Sequence, residues 1–495
     1  MLYPGAILLC LLGVIWIYFR NNPLRHGRAF MIRRFVNWFP LGMTYAFLYM
    51  GRYDLTVAKN ALGSLMTKGE FGTIAGVGTA TYAVSFLLNG PLVDRIGGRK
   101  GILISALGSS LANILLGVLT YLVLTNRLQG RMVPAFAVIY ALNMYCQSYG
   151  AVSIMKIKSY WFHVRERGVF GAIFGSLISI GIYFALDWGG AVADLAKAHP
   201  GPNAGWAHHA FFGMFKSRDH PGTDAYWAIF LVPAIILLGW LVVDWFLIKN
   251  TPEDTGFPNF DTHDASSGHM EEEYTMLDLL KKVFTSPLMI MIALVELTSG
   301  VFRDGIQNWY LFFSAEVPQR GAEFFRTHWG WLLCIFGIVG GFAAGLTSDK
   351  YFQSRRGPPV AMLCGVVLVA ASVMAVCLFS SPVLAGASGV VIVMCSVGIT
   401  SLMSGTAAVD FGGRKATATC MGIVDGFAYL GGSLQSFCLG HITSWDWQMW
   451  PVFFIPFAIG GGAIAIKIWH ALPAATKKYI AEVESKRLSP PAPIG

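Results

Sequence analysis

The chain contains thirteen apolar runs of roughly 17–25 residues, each long enough to cross a bilayer. They lie near 3–19, 35–57, 71–92, 102–125, 133–152, 168–187, 226–249, 286–314, 328–347, 359–379, 384–408, 417–440 and 449–471. Runs of this length, rich in Leu, Gly and Ala, predict helices; a membrane barrel would show short alternating segments instead. Only 13% of the residues are charged, about half the share of a soluble domain. The expected fold class is therefore an all-α polytopic membrane protein, with lipid as its surrounding partner.

The net charge of +9 does not point to nucleic acid, because the basic residues fall in alternate loops. They are Arg20, Arg25, Arg28, Arg33 and Arg34; Arg95, Arg99 and Lys100; Lys156, Lys158, Arg165 and Arg167; Lys281 and Lys282; Arg355 and Arg356; Arg414 and Lys415; Lys477 and Lys478. This is the positive-inside pattern. It predicts an N-terminus outside, a cytoplasmic 20–34 segment and a cytoplasmic C-terminal tail. The first run has no basic n-region and carries its positive flank on the wrong side for a signal peptide. It reads as an uncleaved extra helix before a twelve-helix body. All eight cysteines sit inside apolar runs without a C-x-x-C spacing, so neither a metal site nor a disulfide framework is indicated. No cofactor loop or nucleophile–base pairing is present, and no enzymatic activity is expected.

A long polar stretch, 250–284, divides the body. The expected units are the extra helix and its basic linker (1–34), a six-helix half (35–249), the inter-half loop (250–284), a second six-helix half (285–472) and a tail (473–495). The halves repeat a motif: GPLVDRIGGRK at Gly90–Lys100 and GLTSDKYFQSRR at Gly345–Arg356. Asp94 and Asp349 are 255 positions apart (349 − 94), and two arginines inside apolar runs, Arg52 and Arg303, are 251 apart (303 − 52). Matching offsets suggest a duplicated six-helix unit.

GPLVDRIGGRK resembles the loop motif of the major facilitator superfamily. More narrowly, YAFLYMGRYDLTVAKNAL (45–62), WFHVRERG (161–168), NTPEDTGFP (250–258), GVFRDGIQNW (300–309) and GFAYLGGSLQS (426–436) are similar to the organophosphate:phosphate antiporters. That resemblance spans roughly residues 36–470. It implies two six-helix halves related by pseudo-two-fold symmetry, a monomer in a bacterial inner membrane, and exchange of glycerol phosphate or sugar phosphates for inorganic phosphate. It also implies a cytoplasmic conformational motif at Asp94, Arg95, Gly97, Arg99, Lys100, Glu166, Arg167, Asp349 and Lys350.

Residues at i, i+4 and i+7 share a helix face. The face of Arg52 collects Tyr45, Tyr49, Thr56 and Lys59; that of Arg303 collects Glu296, Gly300, Gln307 and Tyr310. A charge at the bilayer centre costs about 2.5–3.5 kcal/mol even on lenient scales, so the two stripes are expected to line a water-filled route. Snorkelling to the interface, or pairing with a carboxylate, is the structural alternative. Two facing guanidiniums would repel one another, and a divalent oxyanion such as phosphate relieves this through bidentate hydrogen bonds. The family's phosphate-binding arginines fall on Arg52 and Arg303, and its site tyrosines on Tyr49 and Tyr45. Tyr82, Lys59 and Gln307 complete the candidate binding set.

The chain departs from the family elsewhere. Phe86 and Ile178 stand where a lysine and a histidine are common; Tyr53 and Asn308 replace a charge pair. Glu296 and Asp425 are intramembrane carboxylates, read either as proton-coupling groups or as structural charge partners. Ser85 and Asn89, Asn143 and Gln147, and Ser176, Ser179 and Tyr183 form further polar faces, half of them expected to serve helix contacts. The glycine-rich 429–432 stretch reads as close helix packing. Besides exchange, two readings stand open: a transporter-like sugar-phosphate sensor, and a proton-coupled carrier of another organic anion.

Overall fold

With no water in the bilayer core, each apolar run has to satisfy its backbone N–H and C=O groups within its own segment, and the helix does so. The structure is a computed structural model that describes residues 4–128, 132–163, 166–199, 205–259, 281, 284–317, 322–352, 355–404 and 417–471. Its main helices are α1 (Pro4–Arg20), α2 (Arg28–Leu62), α3 (Lys68–Ile96), α4 (Gly98–Leu124), α5 (Met132–Trp161), α6 (Arg167–Tyr183), α7 (Trp206–Phe215) and α8 (Ala228–Leu247). They continue as α9 (Pro287–Gln307), α10 (Trp309–Glu316), α11 (Trp329–Tyr351), α12 (Gly357–Cys377), α13 (Pro382–Leu402), α14 (Thr417–Trp445) and α15 (Met449–Lys467). No strand occurs among the described residues.

Among the described residues a helix lies on each apolar run, and eight helices are long and apolar enough to cross a membrane by length and composition alone. The thirteen crossings expected from sequence are therefore not established by length and apolarity. The physical reason is informative: α2, α5, α9 and α14 are 35, 30, 21 and 29 residues long but carry the polar residues of the interior. The extra helix α1 is 17 residues long.

Local sequence sets the helix ends. Thr67 and Glu70 form a reciprocal capping box at the start of α3, and Ser286 and Ser381, each followed by proline, cap α9 and α13, satisfying donors the first turn leaves orphaned. Between α3 and α4 the chain turns at Gly97, φ +87°, a backbone conformation that costs glycine little.

Two seams join the N-terminal helices to the C-terminal ones: α3 against α14, and α6 against α11. Each is the second helix of one six-helix set against the fifth of the other, so the same contact occurs twice. Gly72 and Gly76 make the first seam close. A side chain at Gly72 would meet the Ser436 carbonyl and the Gly440 backbone, and one at Gly76 the Phe437 ring; small residues four apart permit such an approach. Ser433 Oγ donates to Gly76 O at 2.8 Å across it.

Among the described residues, the hydrogen bonds that join the two sets run from the middle of the bundle to one end only. At that end Lys68 Nζ reaches Glu316 Oε2 and Thr443 O, both at 2.8 Å. Asp187, turned by a π-helical turn at Phe184–Trp188 that continues α6, accepts from Gly330 N (2.9 Å) and Trp331 N (3.1 Å) at the start of α11. The opposite, basic end is built within the N-terminal set. Arg34, 1% exposed, makes a bidentate pair with Glu166, both contacts 2.9 Å, while its Nε donates to Tyr18 of α1 at 3.0 Å.

Candidate functional site

Arg52 lies in the C-terminal third of α2, with ten helical residues still following it, and is 3% exposed, so it does not snorkel. Its charge is met by π faces: the guanidinium carbon is 4.6 Å from the Tyr49 ring centroid and 4.4 Å from that of Tyr82, within cation–π range. Nε donates to Gln147 Oε1 (3.0 Å) and Nη1 to the Tyr429 hydroxyl (2.9 Å), whereas the buried Nη2 has no hydrogen-bond partner. Tyr45 packs edge-on against Tyr49, centroids 5.5 Å apart.

The orientation of Gln147 is set from behind. Its Nε2 donates to Asn143 Oδ1 (3.1 Å) and Ser109 Oγ (3.2 Å), which leaves Oε1 facing the arginine. Asn143 and Asn113 in turn donate to Gly51 O, and Tyr140 OH donates to Arg52 O at 2.9 Å. The network from α4 and α5 therefore holds both the backbone and the head of Arg52. Linked buried hydrogen bonds of this kind strengthen one another and favour one geometry.

From the other half, Arg303 places its guanidinium 5.5 Å from the Tyr429 ring, the same distance as Arg52. One aromatic ring on α14 thus stands beside both arginines. Arg303 Nε pairs with the carboxylate of its own neighbour, Asp304, at 3.0 Å. Tyr53 OH lies 3.4 Å from the same Asp304 oxygen, and Thr56 Oγ1 donates to Asn308 Oδ1 at 3.0 Å. Arg52, Tyr53, Thr56, Asp304, Asn308 and Tyr429 all line a cavity of about 20 Å³, room for a single water. A larger anion requires the halves to part.

The structure gathers Arg52, Arg303, Tyr45, Tyr49 and Tyr82 around Tyr429. Lys59 is elsewhere: two turns beyond Arg52, its ammonium lies 5.3 Å from the Phe312 ring. Gln307 is wholly buried, its side-chain amide atoms have no hydrogen-bond partner, and its backbone carbonyl accepts from Trp329 Nε1. Glu296 is wholly buried with both oxygens unpartnered; the carboxylate paired with Arg303 is Asp304. Asp425 makes no ion pair among the described residues.

Of the conformational motif, Asp94 pairs with Lys156 at 2.8 Å. Arg99 donates to Trp245 O at 2.6 Å, and its backbone N–H to Asn250 at 2.9 Å. Glu166 holds Arg34, Lys350 lies against Tyr351, and Arg95 and Lys100 are exposed. The side chains of Arg167 and Asp349 lie outside the described residues, as do the acidic end of the 250–284 loop and the 473–495 tail. The histidines of the 187–226 segment form no metal-type cluster among the described residues; His208 is hydrogen-bonded to Lys197 O.

A family model described as Major Facilitator Superfamily matches residues 30–436. The chain belongs to that superfamily. Major facilitators are transporters rather than enzymes, and the helical architecture agrees with solved members. The chain covers 98% of a bacterial homologue of the human lysosomal transporter Spinster, using 92% of its own length, at TM-score 0.57 and 14% identity. It covers 98% of a D-xylose–proton symporter, using 89% of its length, at TM-score 0.58 and 12% identity. In sequence it is 24% identical to the membrane sensor protein UhpC of Salmonella typhimurium, over 90% of this chain and 94% of that one. It is also 24% identical to the glycerol-3-phosphate transporter of Bacillus subtilis, over 74% of this chain and 76% of that one.

Within this major facilitator bundle, Asp304, Tyr140 and the contact of Tyr53 with Asp304 escaped sequence reasoning. One signal was available: Tyr53 and Asp304 each follow an arginine, and they are separated by the same 251 positions. Positions equivalent by the repeat meet at its axis. The glycine-rich stretch behaves as expected. A side chain at Gly431 would run into Leu297 O, and one at Gly432 into the Asp304 carboxylate, so α14 lies against α9 by virtue of those glycines.

Proposed function

We propose that the chain is a secondary carrier that exchanges an organic phosphate ester, of the glycerol phosphate or sugar phosphate class, for inorganic phosphate by alternating access. The observation that carries this reading is the approach of Arg52 and Arg303, one from each half, to the same Tyr429 ring, each at 5.5 Å. Guanidinium forks match phosphate oxygens, and a ligand bridging them couples its own binding to the relative position of the halves. The relatives named as a glycerol-3-phosphate transporter and, in Chlamydia muridarum, a probable hexose phosphate transport protein support the phosphate headgroup.

In this reading the basic end faces the cytoplasm of a bacterial inner membrane, the N-terminus lies outside and the tail inside. The far-end contacts then seal the outer side, and cargo loads from within. Residues 35–249 and 285–472 act as the two rocking halves of a monomer, joined by 250–284. Lys59 and Gln307 come into play only when the halves part. Glu296 and Asp425 are the groups that would carry protons if transport is proton-coupled.

The test is counterflow of labelled phosphate in proteoliposomes, challenged with glycerol, hexose and triose phosphates. Arg52→Lys and Arg303→Lys keep the charge and remove the fork. Strong exchange lost in both variants supports the clamp; unchanged exchange in both, or efficient uniport by the wild type, overturns it. The likeness to a sensor favours a second reading, in which ligand binds but exchange in the same vesicles is negligible.

A further inference from the structure

Counting arginines alone predicts a dianion, but the site contains a third fixed charge. Asp304 is 3% exposed, and its Oδ1 is approached by Arg303 Nε at 3.0 Å and Tyr53 OH at 3.4 Å. Gly432 leaves the space its second oxygen occupies. Arg52, by contrast, has only neutral partners: three phenol rings, the Tyr429 hydroxyl and the Gln147 amide. Arg303 is thus matched by its own neighbour, and Arg52 is unmatched.

From this geometry we propose that Asp304 sets the charge of the cargo, so that the site selects the monoanionic form of a phosphate compound over the dianion. The inference rests on the phosphate reading above. An anion drawn to Arg52 enters the cavity that Asp304 also lines, so a second negative charge on it meets a carboxylate a few ångströms away. In a water-poor interior like charges repel strongly, and juxtaposing them is how a site rejects a competitor. The other ionisable groups around this pair are Tyr49, Arg52, Tyr53 and Asp54 on α2, Tyr140 on α5, Tyr429 and Asp425 on α14, and Glu296 on α9. Neither Glu296 nor Asp425 forms an ion pair with Arg303 among the described residues.

The experiment is titration calorimetry on the full chain in detergent, with glycerol 3-phosphate as titratable probe and sulfate as fixed dianion. A phosphate monoester loses its second proton near pH 6, so wild-type affinity for glycerol 3-phosphate is expected to fall about a hundredfold from about pH 5 to about pH 8. Sulfate is expected not to compete. Asp304→Asn should flatten that decline and admit sulfate, and Asp304→Glu should restore the wild-type pattern. Glu296→Gln and Asp425→Asn should leave the selectivity unchanged, which separates the cargo's titration from theirs. Sulfate competing in the wild type, or identical selectivity in wild type and Asp304→Asn, overturns the inference while leaving the phosphate reading standing. Failure of the folded wild type to bind any phosphate compound at any pH overturns the phosphate reading and this inference together. If Asp304→Asn does not fold, the wild-type sulfate arm decides by itself.

Discussion

Gln147→Leu tests whether Arg52 is held in place or simply present. The leucine is close in volume, so the helix contacts of α5 survive, but Arg52 Nε loses its 3.0 Å acceptor. Its Nη2 already lacks a partner, leaving the guanidinium with one hydrogen bond, to Tyr429. A charged buried donor does not stay in that condition; it turns toward another acceptor. To bind an anion between the halves it must then return to the unsatisfied position. Hydrogen bonds to charged groups contribute about 1.5–3 kcal/mol, so the half-saturation concentration for phosphate should rise about ten- to a hundredfold. The assay is phosphate counterflow at graded concentrations, with a thermal melt to verify folding. Gln147→Glu supplies a second arm, because it keeps the acceptor and adds a carboxylate beside Arg52. It should weaken anion binding still further by competing for the same guanidinium. Wild-type half-saturation in both variants would refute the idea that the α4–α5 network sets the arginine's position.

Three further outcomes follow from the seams and the buried pair. Gly72→Val drives a side chain into the Ser436 and Gly440 backbone; overpacking of that kind costs about 1–3 kcal/mol, readable as a lowered Tm with transport lost. Asp187→Ala removes the two hydrogen bonds that tie α6 to the start of α11. A carboxylate at a helix N-terminus contributes up to about 2 kcal/mol, so spin labels at the exposed positions Leu65 and Trp445 should report a larger far-end-open population. Arg34→Ala strips the buried Glu166 of its bidentate partner and leaves it the His163 backbone N–H at 3.2 Å and the His26 ring at 3.9 Å, a loss of up to about 3–5 kcal/mol that should sharply reduce accumulation of folded protein, whereas the double change Arg34→Met with Glu166→Met should recover part of it.

Much of this architecture was legible in the sequence because bilayer physics is unforgiving. An apolar run of membrane length has few alternatives to a helix, and an arginine in its middle needs a reason. Arg52 and Arg303 declared themselves in that way, and the tyrosines on the same face as Arg52 followed from helical spacing. Lys59 and Gln307 show where the face argument stops. They share the arginines' stripes, but a stripe runs the length of a helix while a site occupies one level of it. Lys59 meets Phe312 at another level, and Gln307 lies within the C-terminal set. Asp304 shows the opposite limit. Next to an arginine it reads as local charge, and its importance arises only when the repeat axis brings Tyr53 to it from 251 positions away.

The pair between Arg34 and Glu166 also bears on how the protein is made. The two residues are separated by 132 positions, and the hydroxyl that completes the arginine's coordination comes from α1, which precedes both in the chain. While helices enter the membrane in order, α1 and α2 arrive long before the turn that carries Glu166. Arg34 must therefore wait at the water interface, its charge hydrated, until α6 follows. The insertion of α6 then converts a loosely placed N-terminal hairpin into a locked one. Assembly of the first half thus has a built-in checkpoint at its sixth element, counted from the extra helix, and variants of Glu166 should be caught there by membrane quality control before the second half is made.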